Sequence, residues 1–527
     1  MSGLSTPASV DAPPGTDPYR APAAPAWQPI AWLRPSEPER KAAAAPRALA
    51  AAVITGLLAA WLLADGVGVN LLLCGVVAAV GAGIAARSAG RRVRVWTVLW
   101  SVLALALLAV PALSEAGWPV ALSTLCALAL ASLALHGGRR WAGVLLALPG
   151  ILWQLAPGLL WARDGLRGLS LPGRGKVVPV LKAVVVAAVL LTVFGWLFAS
   201  ADAAMADVLS GLTPSLDLSE LPLRFVLFVL GLLTALGFAH IAAGPRRWDR
   251  TAVRPGRERG RLEWALPLVA LNLMFGAFAL IQAVVVLGGR DSITNTGMSR
   301  SEYARQGFWQ LTAVTVLTLV VVAVAKRWAP RGTAADRRLA RILLGVLCLL
   351  TLVVVASALG RMWFYVDASG LTRLRLWVLV VEVWLGAVFL LLIVAGLTRS
   401  AAWLPRAVVL SGMVTAAVYG LMGPDAIIAE QNVARFERTQ QIDLRNVRDL
   451  SPDAVPALDR LPGDQRTCAL ELIRAGLDDS SPWYATSLAE ARAREILAER
   501  PLSQSLSAEQ SACDRAGLRG DDYIGRY

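Results

Sequence analysis

Charge is what this sequence has least of for its size. Of 527 residues, 17% are charged and 56% hydrophobic, and the mean hydropathy is +0.57. A soluble domain carries roughly a quarter charged residues, so this chain cannot wet its own surface and a bilayer must do much of the solvation. That excludes an ordinary soluble enzyme, a secreted disulfide scaffold and a disordered protein. Histidine is nearly missing. His136 and His240 are the only two, each at the end of an apolar run with no second ligand at metal spacing, which argues against a histidine-based zinc site. Cysteine is sparse as well. Cys74, Cys126 and Cys348 lie inside apolar runs and read as small packing residues. Nucleophile elbows, HExxH helices and kinase signatures are absent. No catalytic residue, cofactor or metal is therefore assigned.

The positive charge that is present is unevenly placed. The net charge is +14, yet residues 423–527 hold 13 Lys+Arg against 18 Asp+Glu, and the first 422 hold 38 against 19. The excess sits in short segments between apolar runs, where topology-setting arginines belong. No basic, aromatic-interleaved fold signature accompanies it, so nucleic acid is not an expected partner. Two further motifs reduce to bland readings. Gly173-Arg174-Gly175-Lys176 imitates the end of a phosphate loop, but Val177 stands where the magnesium-binding hydroxyl belongs. Gly81-x-Gly83-x-x-Ala86 imitates a dinucleotide fingerprint, but it ends an apolar run and reads as close helix packing.

Long apolar runs are what the sequence has in abundance. A hydrocarbon core of about 30 Å takes about 20 helical residues. Runs of that order lie at 47–64, 67–86, 95–113, 118–136, 177–200, 221–243, 264–287, 307–325, 339–359, 376–397 and 405–422. The expected fold is all-α: a polytopic helical membrane bundle of about 11 transmembrane helices with a small helical soluble C-terminal domain. The stretch Trp141–Trp161 is apolar too, but it contains Pro149-Gly150 and Pro157-Gly158 and is flanked on both sides by arginines. It reads as interfacial or re-entrant. With eleven crossings and the N-terminus inside, inner segments collect 30 Lys+Arg and outer segments seven. The expectation is a multi-pass plasma-membrane protein with a Pro/Ala-rich cytoplasmic segment over 1–45, a transmembrane domain over 46–422 and an extracytoplasmic helical tail over 423–527. In the tail, Ser451-Pro452 and Ser481-Pro482 read as helix starts. Cys468 and Cys513 are candidates for a disulfide if the tail is outside; the alternative is two thiols packed in helices.

Candidate functional residues fall in two groups. Within the membrane, Glu382 lies about 10 Å from one end of its helix, and Asn272 and Gln282 point about 80° apart on another. They read either as an ion or substrate path or as interhelical clamps. At the outer face, six of the seven disfavoured arginines sit in two connectors, one over 290–306 and one over 361–375. Arg305, Arg361, Arg373 and Arg375 have the forked donors that hold a carboxylate or phosphate. Tyr303 and Tyr365 add phenols, Asp367 and Glu302 balance part of that charge, and Asp202, Asp425 and Asn432 are further members. The competing reading is a network that locks helix ends and docks the tail.

These stretches also carry a resemblance. Ala201-Asp202, Tyr303-Ala304-Arg305-Gln306-Gly307-Phe308, Ser357 to Tyr365, Gly370-Leu371-Thr372-Arg373, Asn432-Val433-Ala434-Arg435 and Leu450 to Leu458 resemble a family of bacterial multi-pass membrane proteins catalogued as a domain of unknown function, of the 4153/4173 type. The likeness spans roughly residues 50 to 460. It implies a helical inner-membrane protein and brings no catalytic residue. The leading expectation is therefore recognition or passage of an anionic small molecule or lipid at the outer face. One rival is a signalling or scaffold protein whose tail binds a protein partner. The other is an envelope enzyme acting on lipid-linked substrates, with Glu302, Asp367 or Glu382 as acid or base.

Overall fold

A computed structural model describes residues 42–168, 220–250, 260–287, 308–328, 333–398, 401–477, 481–502 and 512–516, with five isolated positions between 183 and 197. Every regular element among these residues is helical. A run deprived of water must satisfy its own backbone N–H and C=O groups, and the α-helix does so within one segment. The bundle contains α1 (Pro46–Leu62), α2 (Val69–Ser88), α3 (Val95–Leu108), α4 (Val110–Leu113), α5 (Gly117–His136), α6 (Trp141–Ala147), α7 (Leu155–Gly168), α8 (Leu221–Ala243), α9 (Arg261–Leu287), α10 (Phe308–Trp328), α11 (Ala334–Ser369), α12 (Arg373–Leu397) and α13 (Leu404–Leu421). Among the described residues ten helical stretches are long and apolar enough to cross a membrane, and α1 is a shorter apolar helix. The expected span 177–200 lies outside the described residues apart from the isolated positions. Small residues allow close approach: a methyl group at Gly231 of α8 would stand 2.8 Å from Ala59 Cβ and 3.3 Å from Gly56 Cα of α1.

Contacts between connectors define two ends of the bundle. At the first end, Arg91 donates to Ala242 O (2.9 Å) and Arg406 to Gly138 O (2.9 Å). This joins the α2–α3 turn, the end of α8, the end of α5 and the start of α13. The arginine-rich connectors gather here. The second end holds the turns between α1 and α2, between α4 and α5, and between α11 and α12, and the residues after 422 cover it.

The stretch from Trp141 to Gly168 has the length and hydropathy of a crossing, but its contacts stay at the first end. A methyl at Gly143 would strike Asp249. The Ser132 hydroxyl donates to Ala147 O (2.6 Å), and Gly150 lies against His136. Gly158 meets Leu236 and Gly237, and Gly165 meets Ala44. Trp161 donates its indole N–H to Ala42 O (2.9 Å). A straight helix of this length would end about 40 Å from where it began. Pro149 prevents that: it turns Leu148–Gln154 into a 3-10 segment, and the chain runs along the end of the bundle.

Beyond the bundle, α14 (Pro424–Thr439), α15 (Leu444–Val447), α16 (Val455–Leu458), α17 (Gly463–Gly476) and α18 (Leu488–Glu499) form the C-terminal domain. Its core includes Ile428, Val433, Leu444, Val455, Leu458, Leu470 and Leu497, and it takes in Leu371 from the α11–α12 turn. Ser487 caps α18 by accepting from the Glu490 backbone N–H (3.1 Å). Cys468 and Cys513 are bonded, with Cα atoms 4.8 Å apart and a separation of 45 in sequence.

The course of 141–168 is directly testable. Trp141→Cys and Leu166→Cys, each in a chain whose Cys74, Cys126 and Cys348 are alanine, should both react with an impermeant maleimide from the same side of the membrane. Labelling from opposite sides would mean that the segment crosses.

Candidate functional site at the second end of the bundle

The α11–α12 turn organises this end. Gly370 has φ +79°, a conformation that suits glycine, and a methyl there would stand 2.4 Å from Asn432 Oδ1. Asn432 Nδ2 donates to Leu371 O and to Ile428 O, both at 2.8 Å, and so fastens α14 to the turn. Thr372 caps α12 through the Arg375 backbone N–H. Arg373, the next residue, grips Asp425 with both arms of its fork, Nε to Oδ1 at 2.9 Å and Nη2 to Oδ2 at 2.6 Å. Asp425 is 0% exposed, and its Oδ2 also accepts from the Ser451 backbone N–H (2.8 Å).

The last carbonyls of α11 have no helical donor of their own. Two arginines supply donors. Arg375 Nη1 reaches Ser369 O (3.1 Å) and Gly370 O, with its guanidinium 4.0 Å above the Tyr365 ring. Arg435 of α14 reaches Asp367 O (3.1 Å) and Ala368 O (2.7 Å). Positive charge at a helix C-terminus is also favoured by the macrodipole. Arg361 is half-buried on α11, and the Asp367 side chain is exposed. Asp202, Tyr303 and Arg305 lie outside the described residues, as does Glu302. The structure thus brings Arg373, Arg375 and Tyr365 together with Asp425 and Asn432, and it directs their donors to groups of the chain itself.

Two further fastenings join the domain to the bundle. The Tyr484 hydroxyl donates to Asp65 (2.6 Å), and Asn70 N donates to Tyr484 O (3.2 Å) at the α1–α2 turn. At the α4–α5 turn, Glu115 N donates to Asp453 Oδ2 (2.9 Å), which also accepts from the Ser451 hydroxyl. Sequence reasoning did not single out Asp65, Tyr484, Glu115 or Asp453 as partners. The pairs are separated by more than 300 residues, and no local pattern marks them.

The intramembrane polar residues do not form one seam. Asn272 donates to Leu343 O (3.2 Å), and Ser357 donates to Gln282 (2.8 Å). Their partners are fourteen residues apart on α11, about 21 Å. Each clamps α9 to α11 separately. Glu382 is 0% exposed, and no arginine or lysine pairs with it among the described residues. The Thr312 hydroxyl lies beside it without completing a hydrogen bond.

Arg373→Met would strand Asp425 as a buried unpaired carboxylate, which costs about 3–5 kcal/mol. Thermal unfolding of the purified protein should show a large loss for Arg373→Met, a smaller one for Arg375→Met, and recovery when Arg373→Met is combined with Asp425→Leu. Unchanged melting of Arg373→Met would contradict this role for the pair.

Glu115 provides a pH dependence. Burial pushes its carboxyl above the usual carboxylate range; the nearby Glu490 and Asp453 add to this, while Ser487 and Arg494 oppose it. The docked state therefore favours the proton. Its contribution to docking is complete below the ordinary carboxylate pKa and is lost as pH rises through the raised one. Protease cleavage between Gly423 and Ser451 should accelerate as pH rises from the acidic range towards neutrality, and Glu115→Gln should flatten that rise. An identical profile in both proteins would remove Glu115 from the account.

No curated protein and no solved structure matches the chain. A family model described as "Domain of unknown function (DUF4153)" matches residues 102–461, which runs from α3 through the α11–α12 turn and the Asp425 anchor to the residues just before α17. The chain belongs to that family.

Proposed function

We propose that the protein is a multi-pass plasma-membrane scaffold that holds a folded domain at its extracytoplasmic face for a protein partner. The observation that carries this reading is the use made of the connector arginines. Arg373 is committed to Asp425, and Arg375 and Arg435 are committed to the carbonyls that end α11. A site built to hold an external anion would keep such forks open to solvent. Here they anchor the domain, with Tyr484–Asp65 and Glu115–Asp453 as two more points of attachment.

The orientation follows from charge and redox chemistry. The arginine-rich connectors gather at the first end, which the positive-inside tendency places in the cytoplasm, and the domain covers the other. A cystine between residues 468 and 513 suits an oxidising compartment. The surface offered to a partner includes Trp483, which is 75% exposed, together with Leu472 and Leu488. Large apolar side chains left in water at a docked domain are candidate anchors of an interface.

A photo-crosslinking amino acid in place of Trp483 or Leu488, activated in intact cells, should yield a discrete protein adduct that an equivalent probe at exposed Arg438 does not. Adducts to lipid alone at both positions would overturn the scaffold reading and leave Trp483 as a bilayer-surface anchor.

A further inference from the structure

The opposite end of the bundle contains a cavity of about 310 Å³, enclosed by the α2–α3 turn, the end of α5, the start of α6 and the segment after α8. Four arginines line it: Arg91, Arg94, Arg139 and Arg247. Asp249 is the single carboxylate in the lining, so with His136 neutral the wall carries a formal charge of +3. Asp249 offsets one of these charges and also holds the backbone. Its oxygens accept the backbone N–H groups of Arg139 (2.9 and 3.0 Å) and Arg140 (2.9 Å), which lead into α6. The Arg94 and Arg139 side chains form no ion pair among the described residues.

Topology-setting arginines need no enclosure, because they fulfil that role splayed into water. Here they converge on one cavity, with Arg94 and Arg139 still exposed. Arg91 is tied to Ala242 O. Arg94 Nη1 lies against Gly137, where a methyl would stand 3.6 Å away and where φ is +73°. Arg406 fixes the neighbouring Gly138 through its carbonyl oxygen. Such a convergence of positive charge is stabilised by an anion bound among the arginines.

We propose that this cavity is a binding site for a phosphoryl group. Guanidinium groups arriving from three separate segments suit a tetrahedral oxyanion with acceptors in several directions, whereas a planar carboxylate is satisfied by one or two forks. The volume lies at the lower end of the range of small-ligand sites, about 300–1,000 Å³. The phosphoryl group can belong to an anionic phospholipid of the adjacent leaflet or to a soluble phosphate. This site is independent of the scaffold reading, since none of its residues touches the C-terminal domain.

The test uses the full chain in phosphatidylcholine nanodiscs. Inorganic phosphate is titrated calorimetrically, and phosphatidylglycerol retained through purification is measured by native mass spectrometry. At least one probe should bind the wild type and should bind the Arg94→Gln/Arg139→Gln protein about tenfold or more weakly, while Arg92→Gln, in the same turn but outside the cavity, binds as the wild type does. Phosphate binding alone assigns a soluble ligand, and phosphatidylglycerol retention assigns a headgroup. If the double glutamine variant fails to fold, Arg94→Lys/Arg139→Lys keeps the charge and should retain part of the affinity. Absence of binding by both probes in the wild type, or equal binding across wild type, glutamine and lysine variants, would overturn the proposal.

Discussion

A fully buried carboxylate has to be neutralised where it lies, and in this protein that requirement fixes the relation between membrane bundle and C-terminal domain. Asp425 opens α14, the first helix after the bundle. It takes both arms of Arg373 from the first residue of α12 and the backbone N–H of Ser451 from the loop that leads to α16. Three distant stretches of chain therefore meet at one carboxyl group. Apolar contact would tolerate sliding of one surface over the other, but a two-armed hydrogen-bonded pair does not. Removing either member leaves the other charged in a place without water.

The two ends of the bundle use the same residue type in different surroundings. At the domain end, arginines are matched to a carboxylate or to the carbonyls that finish a helix. At the other end, four arginines surround a cavity whose single carboxylate is occupied with backbone N–H groups. Composition does not distinguish the two uses, because a guanidinium reads the same in sequence whether its partner is internal or external.

Much of the architecture was legible in the sequence, and the reason is physical. Run length against bilayer thickness located the long apolar helices among the described residues, and Pro149-Gly150 marked the stretch that runs along the bundle end although its hydropathy is that of a span. Of the two Ser-Pro starts, Ser451 precedes the 3-10 turn Pro452–Ala454, whereas the helix after Ser481-Pro482 begins only at Leu488, capped by Ser487. The candidate site was legible only in outline. Arg373 and Arg375 stood out because the positive-inside tendency disfavours them, and Asp425 was named beside them but not as the partner of Arg373. Asp425 is 52 residues from Arg373, and a backbone carbonyl such as that of Ser369 has no signature at all. The angle between Asn272 and Gln282 around α9 was readable from spacing, and both in fact meet α11. Their separation along α11 depends on which neighbour each one meets, and spacing is silent on that.

The length of α11 gives the domain boundary a different meaning from the one composition suggests. At 36 residues it measures about 54 Å, well beyond a hydrocarbon core of about 30 Å. Its surplus at the domain end runs through Tyr365 to Ser369, where Arg375 and Arg435 close the carbonyls. One of those arginines belongs to the bundle and the other to the domain. The helix is therefore completed only when the domain is in place, and undocking would leave the carbonyls of Asp367 and Ala368 without the donors that α14 supplies. Leu371, in the turn that follows, is likewise buried in the domain's core. The hydropathy change near residue 422 marks where the membrane stops. The folded unit does not divide there, because the last turn of α11 belongs to both sides.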